Sequence, residues 1–339
     1  MKATAWRWCL HVALGVTGFV IPPSSHAQSG TSASQERTLR RLNTDVAYSL
    51  FLLSNGTFTN LGDFKYSSED TTAKLNTYNL PLRFGFETSL LGPLELSASV
   101  GYGEATTETR GPAVQSGGTA VASQSTERQY FSLWSVAFDI GRPIALMPDL
   151  VLTPSVGVGT QHWSGKLTSQ VGGGTRVSSE RVTFSADALL LDAGATLEYR
   201  HRWGKLNFRP GAAINYVDLA PMGGSATAST SASAAVQRGK AAIAAQSTIF
   251  RAGMNVDGPL GLYIRTLELR WQAFVVGNYS TADIGLFRWT AELGAAVGID
   301  LGPIGRRTLG VNPGELFVGA SYIIGENLSG VRGNFGFRF

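Results

Sequence analysis

The feature that most restricts this chain is an apolar–polar alternation with a period of two, repeated in segment after segment from residue 43 to the end. Neighbouring side chains of a strand point to opposite faces, so each such segment reads as a strand with one greasy and one polar side. In residues 76–90, Tyr78, Leu80, Leu82, Phe84, Phe86 and Leu90 share one face, and Asn79, Arg83, Glu87 and Ser89 share the other. Leu94, Leu96, Ala98, Val100 and Tyr102 then oppose Glu95, Ser97, Ser99 and Gly101, after a tight turn at Leu91-Gly92-Pro93. The same pattern predicts strands over residues 134–140, 150–158, 189–199, 206–216, 250–256, 267–275, 287–299, 316–324 and 331–339. A less regular first strand is expected at about residues 43–54, from Val46, Tyr48, Leu50 and Leu52. That makes about twelve strands, an even number, each near the roughly ten residues that a tilted strand needs to cross a bilayer. Beyond the first two dozen residues no uninterrupted apolar run reaches about 18 residues, which excludes a bundle of membrane-crossing helices.

The connections alternate in character. One set is mostly short and turn-like, at residues 91–93, 200–204 and 258–261, with longer members at 142–148 and about 302–313. The other set includes long Ser/Thr/Gly/Ala-rich segments at about 55–75, 107–127, 163–183 and 218–246. Short turns on one rim and longer loops on the other are how membrane barrels are built. The polar faces carry charges mixed with Gly and Ser, and the apolar faces carry aromatics near strand ends, among them Tyr78, Tyr102, Trp134, Tyr199, Trp271 and Trp289. A soluble sandwich would bury its apolar faces against each other. Aromatics at strand ends instead suit two interfacial girdles, and closure satisfies every backbone amide without water. The expected fold is therefore all-β: a closed antiparallel transmembrane β-barrel of about twelve strands, with a polar lumen.

The N-terminus predicts a leader. Met1-Lys2 and Arg7 precede an apolar stretch from Trp8 to Ile21, and Ser25 and Ala27 stand at the −3 and −1 positions of a cleavage site. Removing residues 1–27 removes Cys9, the only cysteine, so thiol chemistry and disulfides are excluded from the mature chain. The formal charge of +4 drops by the two charges of Lys2 and Arg7, too small a bias for a nucleic-acid partner. Residues 28–42 form a separate N-terminal segment and residues 43–339 the barrel. Within the former, Ser34 can cap a short helix that has Glu36 in its first turn and Arg40 and Arg41 in its last.

The chain stops at Phe339, with Phe335 and Phe337 on the same face. With this ending it resembles Gram-negative outer-membrane proteins, in which a terminal aromatic after alternating apolar residues is the signal read by the barrel assembly machinery. Length, strand count and ending together resemble the translocator domain of autotransporters, and most of all the solitary outer-membrane autotransporter-like β-barrel family, over about residues 43–339. The resemblance implies a non-enzymatic, monomeric protein of the bacterial outer membrane with a structural or narrow-pore role. Its partners would be outer-membrane lipid, lipopolysaccharide and, during biogenesis, the assembly machinery. Only about fifteen residues precede the expected first strand, so no secreted passenger is expected. In autotransporters a helix before the first strand fills the pore. Residues 28–42 read either as such a helix in the lumen or as a solvated tail.

Candidate site residues are few. Arg83, Glu87, Glu95, Asp192, Arg209, Arg270, Arg288 and Glu292 are expected to face the lumen, where mixed signs favour internal ion pairs over a strongly selective pore. A small-solute, porin-like channel is the alternative. A further alternative is a surface hydrolase. His162 and Ser164 share the outward parity of Val156 and Val158, and resemble the His-x-Ser of outer-membrane phospholipase A. That family orients its histidine with an Asn from the next strand, but no Asn occurs here between residues 163 and 206. No metal constellation stands out, the glycine runs at 117–118 and 172–174 do not open a helix as a phosphate loop must, and no cofactor is expected.

Overall fold

The structure, a computed structural model, describes residues 49, 53, 59–112, 124–173, 176–230, 233–239, 244–265, 267–282, 286–301 and 315–338. The leader, residues 28–42 and Phe339 lie outside the described residues. Fifteen strands form one sheet. In chain order they are β1 (Thr59–Ser67), β2 (Thr71–Thr88), β3 (Gly92–Pro112), β4 (Gln124–Gly141), β5 (Ile144–Met147), β6 (Leu150–Gly173), β7 (Arg176–Tyr199) and β8 (His201–Trp203). There follow β9 (Leu206–Thr230), β10 (Ser233–Gly239), β11 (Ala245–Ile264), β12 (Leu267–Ser280), β13 (Trp289–Asp300), β14 (Glu315–Gly325) and β15 (Leu328–Arg338). Three are short ribbons: β5 lies against β6, and β8 and β10 lie against β9. The other twelve are the staves of a closed antiparallel barrel. The seam is β1 against β15, running from Thr59 opposite Phe335 to Tyr66 opposite Leu328. With that pairing the sheet has no free edge, which is the condition for a sheet to span lipid.

The alternation decides the faces. Outward residues such as Trp134, Phe138, Leu293 and Val318 are exposed, whereas their inward neighbours are buried or half-buried. Tyr78, Tyr102 and Trp134 stand side by side on β2, β3 and β4, with ring centroids 5.9 and 5.0 Å apart, and form part of an outward aromatic girdle. One rim carries the start of β1 and the end of β15; we call it the terminal rim, and the opposite one the loop rim.

Three expectations are corrected. The first strand is not at 43–54: Ser49 and Leu53 have helical backbone, both are buried, and the first strand is β1. The count of twelve survives because β1 replaces the expected strand one for one. Secondly, the polar segments expected as long loops are largely strand. β6 and β7 have 24 residues each and β9 has 25, against 12, 11 and 11 in β13, β14 and β15. About ten residues cross the apolar band, so the tall strands rise well past it on the loop rim. Thirdly, the inner face is not polar throughout. Toward the loop rim Phe64, Leu75, Phe131, Leu133, Trp163 and Phe184 all point inward and are buried, and Leu53 joins them. The Phe131 ring lies 5.9 Å from Trp163 and 5.0 Å from Phe184. Gly165 makes room, since a Cβ there would come within 2.4 Å of the Phe184 ring. This part of the lumen is a packed apolar layer.

Candidate functional site

Beneath the apolar layer the lumen holds a cavity of about 1060 Å³ lined by Arg83, Glu87, Glu95, Arg251, Glu292, Arg332 and Asn334, with Leu53 bordering it from within. Its walls follow from parity. On β2, for example, Asn79 and Arg83 face in because Tyr78, Leu80, Leu82 and Phe84 face lipid. The inward charges gather in three groups.

The first group joins the wall to the luminal chain. Glu292 on β13 accepts from Arg332 Nη1 at 2.9 Å and from Ser321 Oγ at 2.5 Å, and Ser321 Oγ accepts from Asn334 Nδ2 at 3.0 Å. The other end of the Arg332 guanidinium donates from Nη2 to the Leu53 carbonyl at 2.7 Å, and the group sits 5.5 Å from the centroid of the Phe64 ring. Ser49 Oγ accepts the backbone N–H of Leu286 at 2.8 Å. Leu286 belongs to the β12–β13 connection on the loop rim, whereas β1 begins on the terminal rim. Ser49 thus meets the loop-rim connection, and Leu53 meets the inner wall.

The second group is centred on Asp257, which is buried near the terminal rim. It accepts from Arg209, from Arg270 Nη2 at 2.9 Å and from Asn207 Nδ2 at 2.9 Å, and Arg270 also reaches Glu315 at 2.6 Å. The third group places Asp139 and Asp192 on either side of Gly157. A Cβ on that glycine would fall 2.2 Å from a carboxylate oxygen of each. Ser97 Oγ donates to Asp139 at 3.3 Å, and Arg83 pairs with Glu95 at 3.3 Å.

Of the eight expected lumen charges, seven thus stand on the inner wall or line its cavity. Arg288 does not: it precedes β13 on the loop rim and is exposed, and its backbone carbonyl accepts from Ser280 N–H at 2.8 Å. The expected alternation fails there because Phe287 is buried while Trp289 is exposed. Sequence reasoning missed Asp257, the most connected of the acids, because the strand was ended at residue 256. It also missed the Leu53 contact of Arg332, which has no local signature. Among the described residues, no group of three or more His, Cys, Asp or Glu is placed to hold a metal ion.

On the outer face His162 and Ser164 point outward as expected. His162 Nδ1 is 2.7 Å from Oδ1 of Asp187, which faces it from β7 and could orient the ring. This orienting carboxylate was overlooked in the sequence because the β6–β7 register was not known. Ser164 Oγ, however, is hydrogen-bonded to Ser132 Oγ at 2.7 Å. The backbone around it is committed to continuous ladders with β4 and β7, so no pair of free N–H groups forms an oxyanion hole. Of the barrel-assembly signal, Phe335 is outward and exposed, Phe337 is described only in its backbone, and Phe339 lies outside the described residues.

Comparison with known proteins agrees with this architecture. The transport unit of the autotransporter AIDA-I from Escherichia coli superposes with a TM-score of 0.50 at 13% identity, over 92% of this chain and 100% of that one. The translocator domain of autotransporter NalP from Neisseria meningitidis gives 0.49 at 15% identity, over 91% and 97%. Identities this low speak to the fold alone. No curated protein sequence matches the chain. The autotransporter beta-domain family model matches residues 56–265. That is well over half of the chain, which therefore belongs to the autotransporter beta-domain family, the barrels of the bacterial outer membrane.

Proposed function

We propose that this protein is a monomeric, non-enzymatic translocator-type barrel whose lumen is closed by its own N-terminal segment. The observation that carries the reading is the pair of contacts from Ser49 to Leu286 and from Leu53 to Arg332, which tie the chain before β1 to the inner wall. The pore-filling segment then reaches beyond residues 28–42 to at least Leu53. The protein would be inserted by the barrel assembly machinery through its terminal aromatic face, and its outer belt would meet lipid and lipopolysaccharide. A narrow pore for small solutes is the second reading, favoured by the cavity of about 1060 Å³ under the apolar layer.

Cysteine cross-linking tests the threading. The mature chain carries no native thiol once Cys9 has left with the leader. Leu53→Cys combined with Asn334→Cys, both bordering the cavity, should be joined by a flexible bismaleimide in outer-membrane fractions. Thr59→Cys with Phe335→Cys across the seam reports a closed barrel. Cross-linking of the seam pair without the luminal pair would overturn the threading.

A further inference from the structure

We infer that the outward face of the tall wall over β4, β6, β7 and β9 is a docking surface for phosphorylated glycolipid of the outer leaflet, with Lys166 and Arg181 as its phosphate contacts. This rests on the outer-membrane placement of the barrel and is independent of what fills the lumen.

The aromatic girdle gives the depth scale. Tyr78, Tyr102, Trp134, His162 and Asp187 follow one another in register across five staves. On the terminal-rim side of this row the outward wall is apolar, with Val136, Phe138, Val158 and Leu191 exposed. On the loop-rim side it changes at once. The next outward row is Ser132, Ser164, Ser185 and Ser225. Beyond it come Tyr130, at the upper edge of the girdle, with Lys166 and Thr183, then Arg128, Thr168 and Arg181. Successive residues on one face lie about 7 Å apart along a strand. Along strands tilted by about 35–45° these rows rise from the girdle through the roughly 5–8 Å of the headgroup zone and somewhat beyond it, the level of a glycolipid's phosphates and sugars. The opposite side of the barrel, with β13, β14 and β15, has no such tall extension.

Three acids lie in or beside the patch, and each has a hydrogen-bond partner; Asp187 Oδ1 is 2.7 Å from His162 Nδ1. Glu104 accepts from the hydroxyls of Tyr102 and, at 3.1 Å, Tyr130. Glu108 accepts from Arg110 Nη2 at 2.9 Å and lies 3.4 Å from Arg128 Nε. Lys166 and Arg181, by contrast, are exposed, and neither has an ion-pair partner among the described residues. Arg181 pairs in register with Thr168, and Lys166 with Thr183. The two cations are thus diagonal neighbours roughly 7–8 Å apart, flanked by threonine hydroxyls. A phosphate accepts hydrogen bonds, and cations with hydroxyls supply them. The hydroxyl rows nearer the girdle suit sugar oxygens. Neutral headgroups would make no use of the two free charges.

The test is binding of the refolded full-length mature chain to diphosphorylated lipid A in mixed micelles, with dephosphorylated lipid A as comparison. Heat-modifiable migration on gels selects folded barrels in every sample. Each cation near such a surface contributes about 1 kcal/mol. Lys166→Ala with Arg181→Ala should therefore weaken binding roughly thirtyfold. Lys166→Arg with Arg181→Lys, which keeps both charges, should bind like the parent. Unchanged affinity in the double alanine variant would overturn the inference, as would equal affinity for the dephosphorylated lipid.

Discussion

Arg332 shows how much of this barrel hangs on single side chains. It is buried in the lumen, where Nη1 donates to Glu292 and Nη2 to the Leu53 carbonyl. Removing one member of a buried pair leaves the other charged and unpaired, which costs about 3–5 kcal/mol. Arg332→Met should therefore lower the unfolding free energy of barrels in vesicles by an amount of that order, read as a lower urea midpoint followed by gel mobility. Adding Glu292→Gln should recover part of the loss, because the stranded charge is then gone. If the second substitution makes matters worse, Glu292 has a cationic partner other than Arg332 and the latch is misassigned. At this scale the side of the wall is legible for most charges, since parity sets direction. The partners are not. Asp257 meets Arg209 and Arg270, and Asp187 meets His162, only because register brings separate strands level.

Among the elements, legibility followed the solvent on the two sides of each strand. Where lipid lies outside and polar groups inside, as in residues 76–90, the period of two is unmistakable. β1 was missed because Phe64 and Tyr66 turn inward to the apolar layer while Asp63 and Lys65 face out, which reverses the usual pattern. The loop-rim halves of β6, β7 and β9 read as loops because their outer side lies beyond lipid and their Ser, Thr and Gly content carries no hydrophobic signal. The run Tyr130-Phe131-Ser132-Leu133-Trp134 held a clue, being apolar on both faces. It marks the level where outer girdle and inner layer coincide. Trp163→Ala is the discriminating variant: at a fully buried, packed position it should cost about 3–5 kcal/mol in the same unfolding assay. A polar, water-filled lumen at that level predicts almost no loss.

For the molecule as a whole, closure and threading are separate achievements. Closure was readable from the sequence, because twelve one-sided strands in lipid have no other way to satisfy their edges. The proposed threading was not, because a segment inside a barrel would meet charge and grease on the same inner wall and need carry no regular amphipathic stripe. The expected pore-filling stretch, 28–42, lies outside the described residues; Ser49 and Leu53, which the structure does describe, follow it in the chain. On the proposed reading, the lumen is blocked by the apolar layer of the wall together with that segment, above a charged cavity of about 1060 Å³. Single-channel recording in planar bilayers, comparing the mature chain with the same chain lacking residues 28–54, tests this most directly. The account predicts small, rare openings for the former and a steady, severalfold larger conductance for the latter. Equal conductance of the two, with both barrels folded, would contradict it.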